Sequence, residues 1–288
     1  MAKLVFGCGY LGSRVARLWR QAGDDVFAVT RSPAKAAELH QAGTRPIVAD
    51  LLANGELALP QNLQTVLFSI GYDRSTGGSI RDVYVAGLSQ AINALPESVG
   101  RFIYISSTGV YGDFAGETVD EDSPCDPRRE GGKACLAAEQ MLLASRLAPQ
   151  AIILRLAGLY GPGRIPRSAD LVAGRPIDAP SQGSLNLIHV DDAANIVILA
   201  EQHAQPPRTY VVADGQPVQR GDYYAELARL LHAPPPNFVE HPSLSPATER
   251  SASDKRVNPA RLMSELQPRL IYPDYRAGLA AIVSGDSA

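Results

Sequence analysis

Through the first half of the chain, short apolar runs alternate with stretches whose apolar residues recur every three to four positions. Leu4, Val5 and Phe6 make the first run, and Leu11, Val15, Leu18 and Trp19 follow at helical spacing. The alternation predicts strands at about 3–7, 25–30, 45–49, 65–70, 101–106 and 151–156, with helices at about 10–22, 33–42, 79–95 and 130–147 between them. Strands joined by a dozen or more residues of helix pair in parallel, and a parallel sheet needs helices on both faces. Right-handed crossovers then give an α/β fold with a doubly wound parallel sheet.

The second half has a different texture. Residues 186–200 read as a strand running into a helix and 209–213 as a further short strand, so both are expected to return to the core. By contrast, 161–183 is rich in Gly, Pro and Arg, and 233–259 carries a run of three prolines from Pro234 to Pro236, both compositions of loops. Helices are expected near 220–231 and 259–284. The division that follows is a core over 1–156, to which 184–213 returns, with 157–183 and 214–288 as a smaller substrate lobe over the strand C-termini.

Composition narrows the range of partners. The chain has 27 basic and 30 acidic residues, a net charge of −3, and no basic block, which argues against a nucleic acid or an anionic membrane surface. Cys8, Cys125 and Cys135 are odd in number and lack CxxC spacing, as expected of reduced thiols in the cytoplasm. Apolar runs such as 196–200 are far too short to span a bilayer, and a strand at residue 3 leaves no room for a signal peptide, so a cytoplasmic protein is expected.

Residues 5–14 read Val-Phe-Gly-Cys-Gly-Tyr-Leu-Gly-Ser-Arg, a glycine triplet between a strand and a helix. Gly7 permits the tight turn, Gly9 leaves the backbone open to a pyrophosphate, and Gly12 lets the helix pack closely on the sheet. With Tyr10 and Leu11 between them, these residues aim the first amide groups of the helix at the phosphates of a dinucleotide. The sheet is therefore expected to be of the Rossmann type. After the second strand come Arg31 and Ser32, where an NAD site usually offers a carboxylate to the ribose. A guanidinium and a hydroxyl suit a 2′-phosphate, which favours NADP over NAD. Asp50 and Leu51 after the third strand are candidates at the adenine, with ordinary capping by Asp50 left open, and Ser69 and Gly71 at the end of the fourth complete the cofactor set.

Four further segments carry a resemblance: 104–112 (Tyr-Ile-Ser-Ser-Thr-Gly-Val-Tyr-Gly), 155–163 (Arg-Leu-Ala-Gly-Leu-Tyr-Gly-Pro-Gly), 188–193 (Ile-His-Val-Asp-Asp-Ala) and 253–256 (Ser-Asp-Lys-Arg). The chain resembles the extended short-chain dehydrogenase/reductase family, in its NAD(P)-dependent epimerase/dehydratase branch, although its glycine turn is one residue shorter than usual there. The resemblance implies an active site made of a Ser or Thr after the fifth strand, a Tyr, and a Lys four residues beyond the Tyr. Ser107 takes the first place and Lys133, on the helix that continues to Glu139, the last, which leaves Arg129 where the tyrosine belongs. A guanidinium cannot deprotonate and cannot serve as the family's acid/base. The catalytic set so implied is Ser107, Lys133 and Arg129, with Lys133 also holding the nicotinamide ribose.

Tyr72, Tyr111 and Tyr160, near strand C-termini, are alternative phenols, although such tyrosines more often pack with a satisfied hydroxyl. Arg128, Arg129, Arg164 and Arg167 could form a cationic mouth for an anionic substrate. The five histidines lack metal-ligand spacing, so no metal is expected; His189 and Asp191 read as loop-bonding residues, and no GxSxG elbow marks a hydrolase. The leading expectation is an NADP-dependent oxidoreductase or epimerase/dehydratase-like enzyme. It would act on a hydroxyl or carbonyl of a small substrate, a nucleotide sugar among the candidates, with homodimerisation left open. The alternative is a non-catalytic NADP(H)-binding sensor or regulatory protein that lacks the active-site tyrosine.

Overall fold

A computed structural model describes residues 1–53, 57–73, 78–239 and 253–285; the middle of the expected loop over 233–259, with His241, lies outside them. Seven strands form the central sheet: β1 Ala2–Phe6, β2 Asp25–Thr30, β3 Arg45–Val48, β4 Leu63–Phe68, β5 Val99–Ser107, β6 Ala151–Leu156 and β7 Arg208–Val212. They lie in the order β7-β6-β5-β4-β1-β2-β3, and every neighbouring pair is parallel. The helices are α1 Gly12–Gln21, α2 Pro33–Gln41, α3 Gly87–Ala94, α4 Glu130–Leu143, α5 Ser168–Val172, α6 Val190–His203, α7 Arg220–Leu230, α8 Ala260–Glu265 and α9 Tyr275–Ser284.

The chain winds outward from β1 to β3 and then crosses back to β4 on the other side of β1. The β1/β4 junction, where Leu4 lies between Phe27 and Val66, is thus the point at which the direction of winding reverses. In open α/β sheets the crevice for a ligand forms there, beyond the strand C-termini.

Residue-by-residue alternation in the strands divides the core into two layers. Phe6, Phe68 and Tyr104 face α3 and α4, where they meet Leu88, Ile92, Ala138 and Leu142. Val5, Leu67, Ile103 and Ile152 face the other way, onto Val15 and Trp19 of α1 and Ile196 and Val197 of α6. Burial on both faces explains why these strands are almost continuously apolar. A separate cluster, with Tyr160, Leu171, Ile177, Tyr223, Leu227, Tyr275 and Leu279, joins α5, α7 and α9. Leu262 and Leu266, from the segment grouped with the lobe by sequence, instead pack into the sheet's own core.

Three elements differ from the periodicity reading. The helix expected over 79–95 begins as a π-helical turn, Asp82–Ala86, before α3. Ser79 and Asp82 hold its start by exchanging bonds, each backbone amide donating to the other's side chain at 3.0 and 3.1 Å. The helix expected over 259–284 is two helices, because Pro268 and Pro273 interrupt it and Asp274 starts a new one by accepting from the Ala277 amide at 2.9 Å. The loop over 161–183 contains the short helix α5.

Candidate active site

A cleft of about 970 Å3 opens at the winding reversal, lined by the ends of β1, β2, β4 and β5 and the turns that follow them. Its floor is the glycine turn. Gly7 has φ +85°, and a Cβ there would lie 2.6 Å from the backbone of Ile70. A Cβ on Gly12 would lie 2.4 Å from the Gly7 carbonyl oxygen, which also accepts from Ser69 Oγ at 2.9 Å. Gly9 differs from both: nothing lies within 4 Å of the position its Cβ would take. Two glycines thus hold the turn shut against β4 and α1, while the third leaves backbone exposed to the cleft. No side chain caps the N-terminus of α1; the Ser13 and Arg14 amides donate to the Gly9 and Leu11 carbonyls, both at 3.0 Å, and the positive end of the helix dipole faces the turn, where it favours an anion. A dinucleotide pyrophosphate fits this cradle.

One wall carries Thr30, Arg31, Ser32 and Lys35 from the end of β2 and the start of α2, with Asp50 and Leu51 after β3. Ser32 Oγ accepts from the Lys35 amide at 3.2 Å and caps α2, and Asp50 Oδ1 accepts from the Leu52 amide at 2.9 Å. Arg31 is exposed. The cleft continues past Ser69 and Gly71 to Ser106, Ser107, Cys135 and the half-buried Tyr72 and Tyr84. Ser107 Oγ accepts from the Gly109 amide at 3.1 Å and so closes the turn after β5. Tyr72 donates its hydroxyl to the Gly78 carbonyl, and its amide donates to the Tyr84 phenol oxygen, both at 3.2 Å.

Of the residues singled out from sequence, Gly7, Gly9, Tyr10, Leu11, Arg31, Ser32, Asp50, Leu51, Ser69, Gly71 and Ser107 all line this one cleft, and Gly12 packs behind it. Lys133 and Arg129 do not line it. Lys133 is exposed and pairs with Glu130 at 2.9 Å, while Arg129 stands at the N-cap position of α4. Helical phase is the reason: at 3.6 residues per turn, positions 133 and 135 point about 200° apart, and it is Cys135 that faces the cleft. Position 131, one turn before it on the same face, is a glycine, whose Cβ would come 3.5 Å from Ile80. Burial, reinforced by the Glu139 charge, pushes the Cys135 thiol up to about 12, so it stays protonated at neutral pH.

Glu139, a further turn along that face, is buried and bonded on every side. It accepts from Ser106 Oγ and from Arg155 Nη2 at 2.7 Å, and Arg155 Nη1 donates to the Tyr111 hydroxyl at 2.9 Å. That bond occupies Tyr111, and Tyr160 is buried with its hydroxyl toward the Asp274 carbonyl; neither lines the cleft. The four arginines expected at a mouth are dispersed. Arg128 pairs at 3.9 Å with Asp113, Arg167 donates to the Asp178 carbonyl, and only Arg164 reaches the cleft. His189 is buried, accepts from the Asp191 amide at 3.3 Å, and burial lowers it to about 4, which keeps it neutral. Among the described residues no group of three or more His, Cys, Asp or Glu could hold a metal ion, and no helix is long and apolar enough to cross a membrane. Sequence reasoning missed Lys35, Tyr84 and Cys135. Counting back in fours from Glu139 would have found Cys135.

Residues 4–213 match the model of the NAD dependent epimerase/dehydratase family. The chain belongs to that family. Among curated proteins it is 28% identical over 277 residues to "Protein YeeZ" of Escherichia coli K12, covering 94% of this chain and 96% of that one. It is 26% identical over 315 residues to a 3-diazoavenalumate denitrifying reductase of Streptomyces sp, covering 97% and 99%. A solved structure of a functionally unknown protein from Silicibacter pomeroyi is 30% identical with a TM-score of 0.83, covering 100% and 99%. UDP-glucuronic acid 4-epimerase of Bacillus cereus, solved with UDP-glucuronic acid and NAD, superposes with a TM-score of 0.80 over 100% of both chains at 18% identity, a likeness of fold. Like other members of the family, the chain has a seven-stranded parallel Rossmann-type sheet.

Proposed function

We propose that this protein is a nicotinamide-dinucleotide oxidoreductase that takes NADP in preference to NAD and acts on a hydroxyl or carbonyl of a small substrate. The observation that carries the cofactor choice is the wall at the end of β2. Arg31, Ser32 and Lys35 line it, and the turn from Thr30 to Lys35 contains no carboxylate. An exposed guanidinium suits a 2′-phosphate, whereas an NAD site would place an acid there. The NAD bound in the Bacillus cereus epimerase structure is the reason to test the preference directly.

Bound at this cleft, the nicotinamide would supply or accept a hydride. The chain's own residues would do the rest. Gly9 opens the backbone to the pyrophosphate, Asp50 and Leu51 border the adenine, and Ser107 presents a hydroxyl to the reacting oxygen of the substrate. The family resemblance calls for a tyrosine and a lysine four residues apart, and on the face of α4 that carries Cys135 into the cleft the two positions with that spacing hold Gly131 and Cys135. A glycine donates nothing, and a thiol held near 12 carries no charge at pH 7. Of the three phenols lining the cleft, Tyr10 belongs to the glycine turn, and Tyr72 and Tyr84 are the ones that would exchange a proton with substrate, Tyr72 by giving up its bond to the Gly78 carbonyl. The same vacancy on α4 favours a second reading, a protein that binds NADP(H) and senses it without turnover.

Calorimetric titration of NADPH and NADH into wild type and Arg31→Ala tests the cofactor choice. A charge-assisted contact contributes about 1.5–3 kcal/mol, so the variant should lose about tenfold or more for NADPH and little for NADH. Equal losses, or tighter binding of NADH by wild type, would refute the preference. Consumption of NADPH across a panel of carbonyl compounds and nucleotide sugars then separates the two readings, since tight binding without turnover of any of them favours the sensor.

A further inference from the structure

The loop after residue 160 meets the glycine turn at one aromatic ring. The Tyr10 hydroxyl donates to the Pro162 carbonyl at 3.1 Å, and the guanidinium groups of Arg14 and Arg164 stand 4.6 and 5.3 Å from its ring centroid. Close approach is built in at Gly161, where a Cβ would fall 2.6 Å from the Tyr10 hydroxyl and from Val190. The two guanidinium groups differ in what they have left to bind. Arg14 is already anchored, donating to Asp191 Oδ1 at 2.6 Å and to the Tyr10 carbonyl at 2.8 Å. Arg164 is exposed, lines the cleft, and its side chain makes no hydrogen bond or ion pair with the described residues.

We propose that Arg164 is a cofactor-binding residue that grips the pyrophosphate of a dinucleotide from the side opposite the glycine turn. A planar donor fork held by a ring at the rim of an uncapped helix N-terminus is suited to a bridging pair of phosphate oxygens. Tyr10 acts as its platform: the cation–π contact keeps the guanidinium over the cleft without using any of its donors. The pyrophosphate is then enclosed by backbone amides from the sheet side and by a cation from the loop over 161–167. The inference rests on the cleft being a dinucleotide site, and its test keeps the two apart.

Affinities for NADH, NADPH and ADP-ribose are measured by calorimetry for wild type, Arg164→Gln and Arg164→Lys, at low and at raised ionic strength, with melting temperatures recorded alongside. The expected result is a loss of tenfold or more for all three ligands in Arg164→Gln, a smaller loss in Arg164→Lys, unchanged melting, and a shallower salt dependence in the glutamine variant. A merely structural Arg164 would lower melting and leave the salt dependence as it is. Affinities within twofold of wild type would overturn the inference while leaving the cleft's reading intact, and so would a loss confined to NADH and NADPH, which would move the contact to the nicotinamide half. Failure of wild type to bind any of the three would overturn both.

Discussion

The three glycines of the first turn should fail in two different ways when given side chains. Gly7 sits at φ +85°, where an L residue costs about 1–2 kcal/mol. Its Cβ would also press on the Ile70 backbone from 2.6 Å, and backbone cannot rotate away, so overpacking adds about 1–3 kcal/mol. Gly7→Ala is therefore expected to lose roughly 3 kcal/mol. With an unfolding entropy of about 2.1 cal/mol/K per residue, the 288-residue chain should melt about 5 °C lower. Gly12→Ala gains helix propensity of about 1 kcal/mol, but its Cβ meets the Gly7 carbonyl at 2.4 Å, so it too should fall. The Cβ of Gly9→Val meets nothing within 4 Å, and position 9 has no left-handed φ to relieve. It should melt within a degree or two of wild type and yet lose NADPH by a hundredfold or more, the equivalent of about 3 kcal/mol of phosphate contacts. Thermal melts by circular dichroism, paired with calorimetric titration, read both quantities. The reasoning fails if Gly9→Val melts as low as Gly7→Ala, or if it binds NADPH like wild type.

Two further outcomes follow from titration and from helical phase. Burial, with the charges of Asp274 and Asp192 adding to it, raises Asp214 from 3.8 to about 7. The unfolded chain ionises first as pH rises, so stability is fully present below about pH 4 and is lost progressively up to about pH 7. Asp214→Asn keeps an acceptor for the Gln216 amide, so its melting temperature should exceed that of wild type by a margin that grows from pH 5 to pH 8; a margin independent of pH would refute this. Lys133→Ala should leave NADPH affinity within twofold, because Lys133 points to solvent. A tenfold loss would mean that α4 presents a different face to the cleft.

The residues that sequence placed well are those whose position is fixed by strand ends. Gly7, Arg31, Asp50 and Ser69 each follow the end of a different strand and Ser107 is the last residue of β5, and parallel strands deliver all their C-termini to one edge. Apolar periodicity located those strands, so the cleft wall came with them. The helices were less legible. Lys133 was matched by its identity, although the buried Glu139 sets the phase of α4 and selects 135 and 131 instead. The π-helical turn at Asp82–Ala86 leaves no mark in apolar spacing, yet it carries Tyr84 into the cleft. The meeting of Tyr10 with Arg164 joins residues 154 positions apart, and nothing local announces it.

The two ends of the cleft differ in charge for a reason that lies in the core. At the reacting end, Arg155 is drawn back under the sheet by Glu139, with Ser106 and Tyr111 bonded into the same network. Breaking one partner of such a buried pair typically costs about 3–5 kcal/mol, so this network both fixes the phase of α4 and withholds a cation from the cleft. Cys135, protonated and apolar in character, is what α4 then presents. Elsewhere along the cleft, Arg31 and Arg164 stand exposed, and among the described residues no carboxylate is bonded to them. A ligand that is anionic along one half and uncharged at its reactive tip matches that polarity, as a dinucleotide with a nicotinamide in reduced form does. Substrate, entering beside Ser107, Tyr72 and Tyr84, would meet their hydroxyl groups and the carboxyl group of Asp73, which lines the cleft next to Tyr72. Its discrimination at that end would rest on shape and hydrogen bonding together with the Asp73 carboxyl group, which disfavours an anionic substrate there.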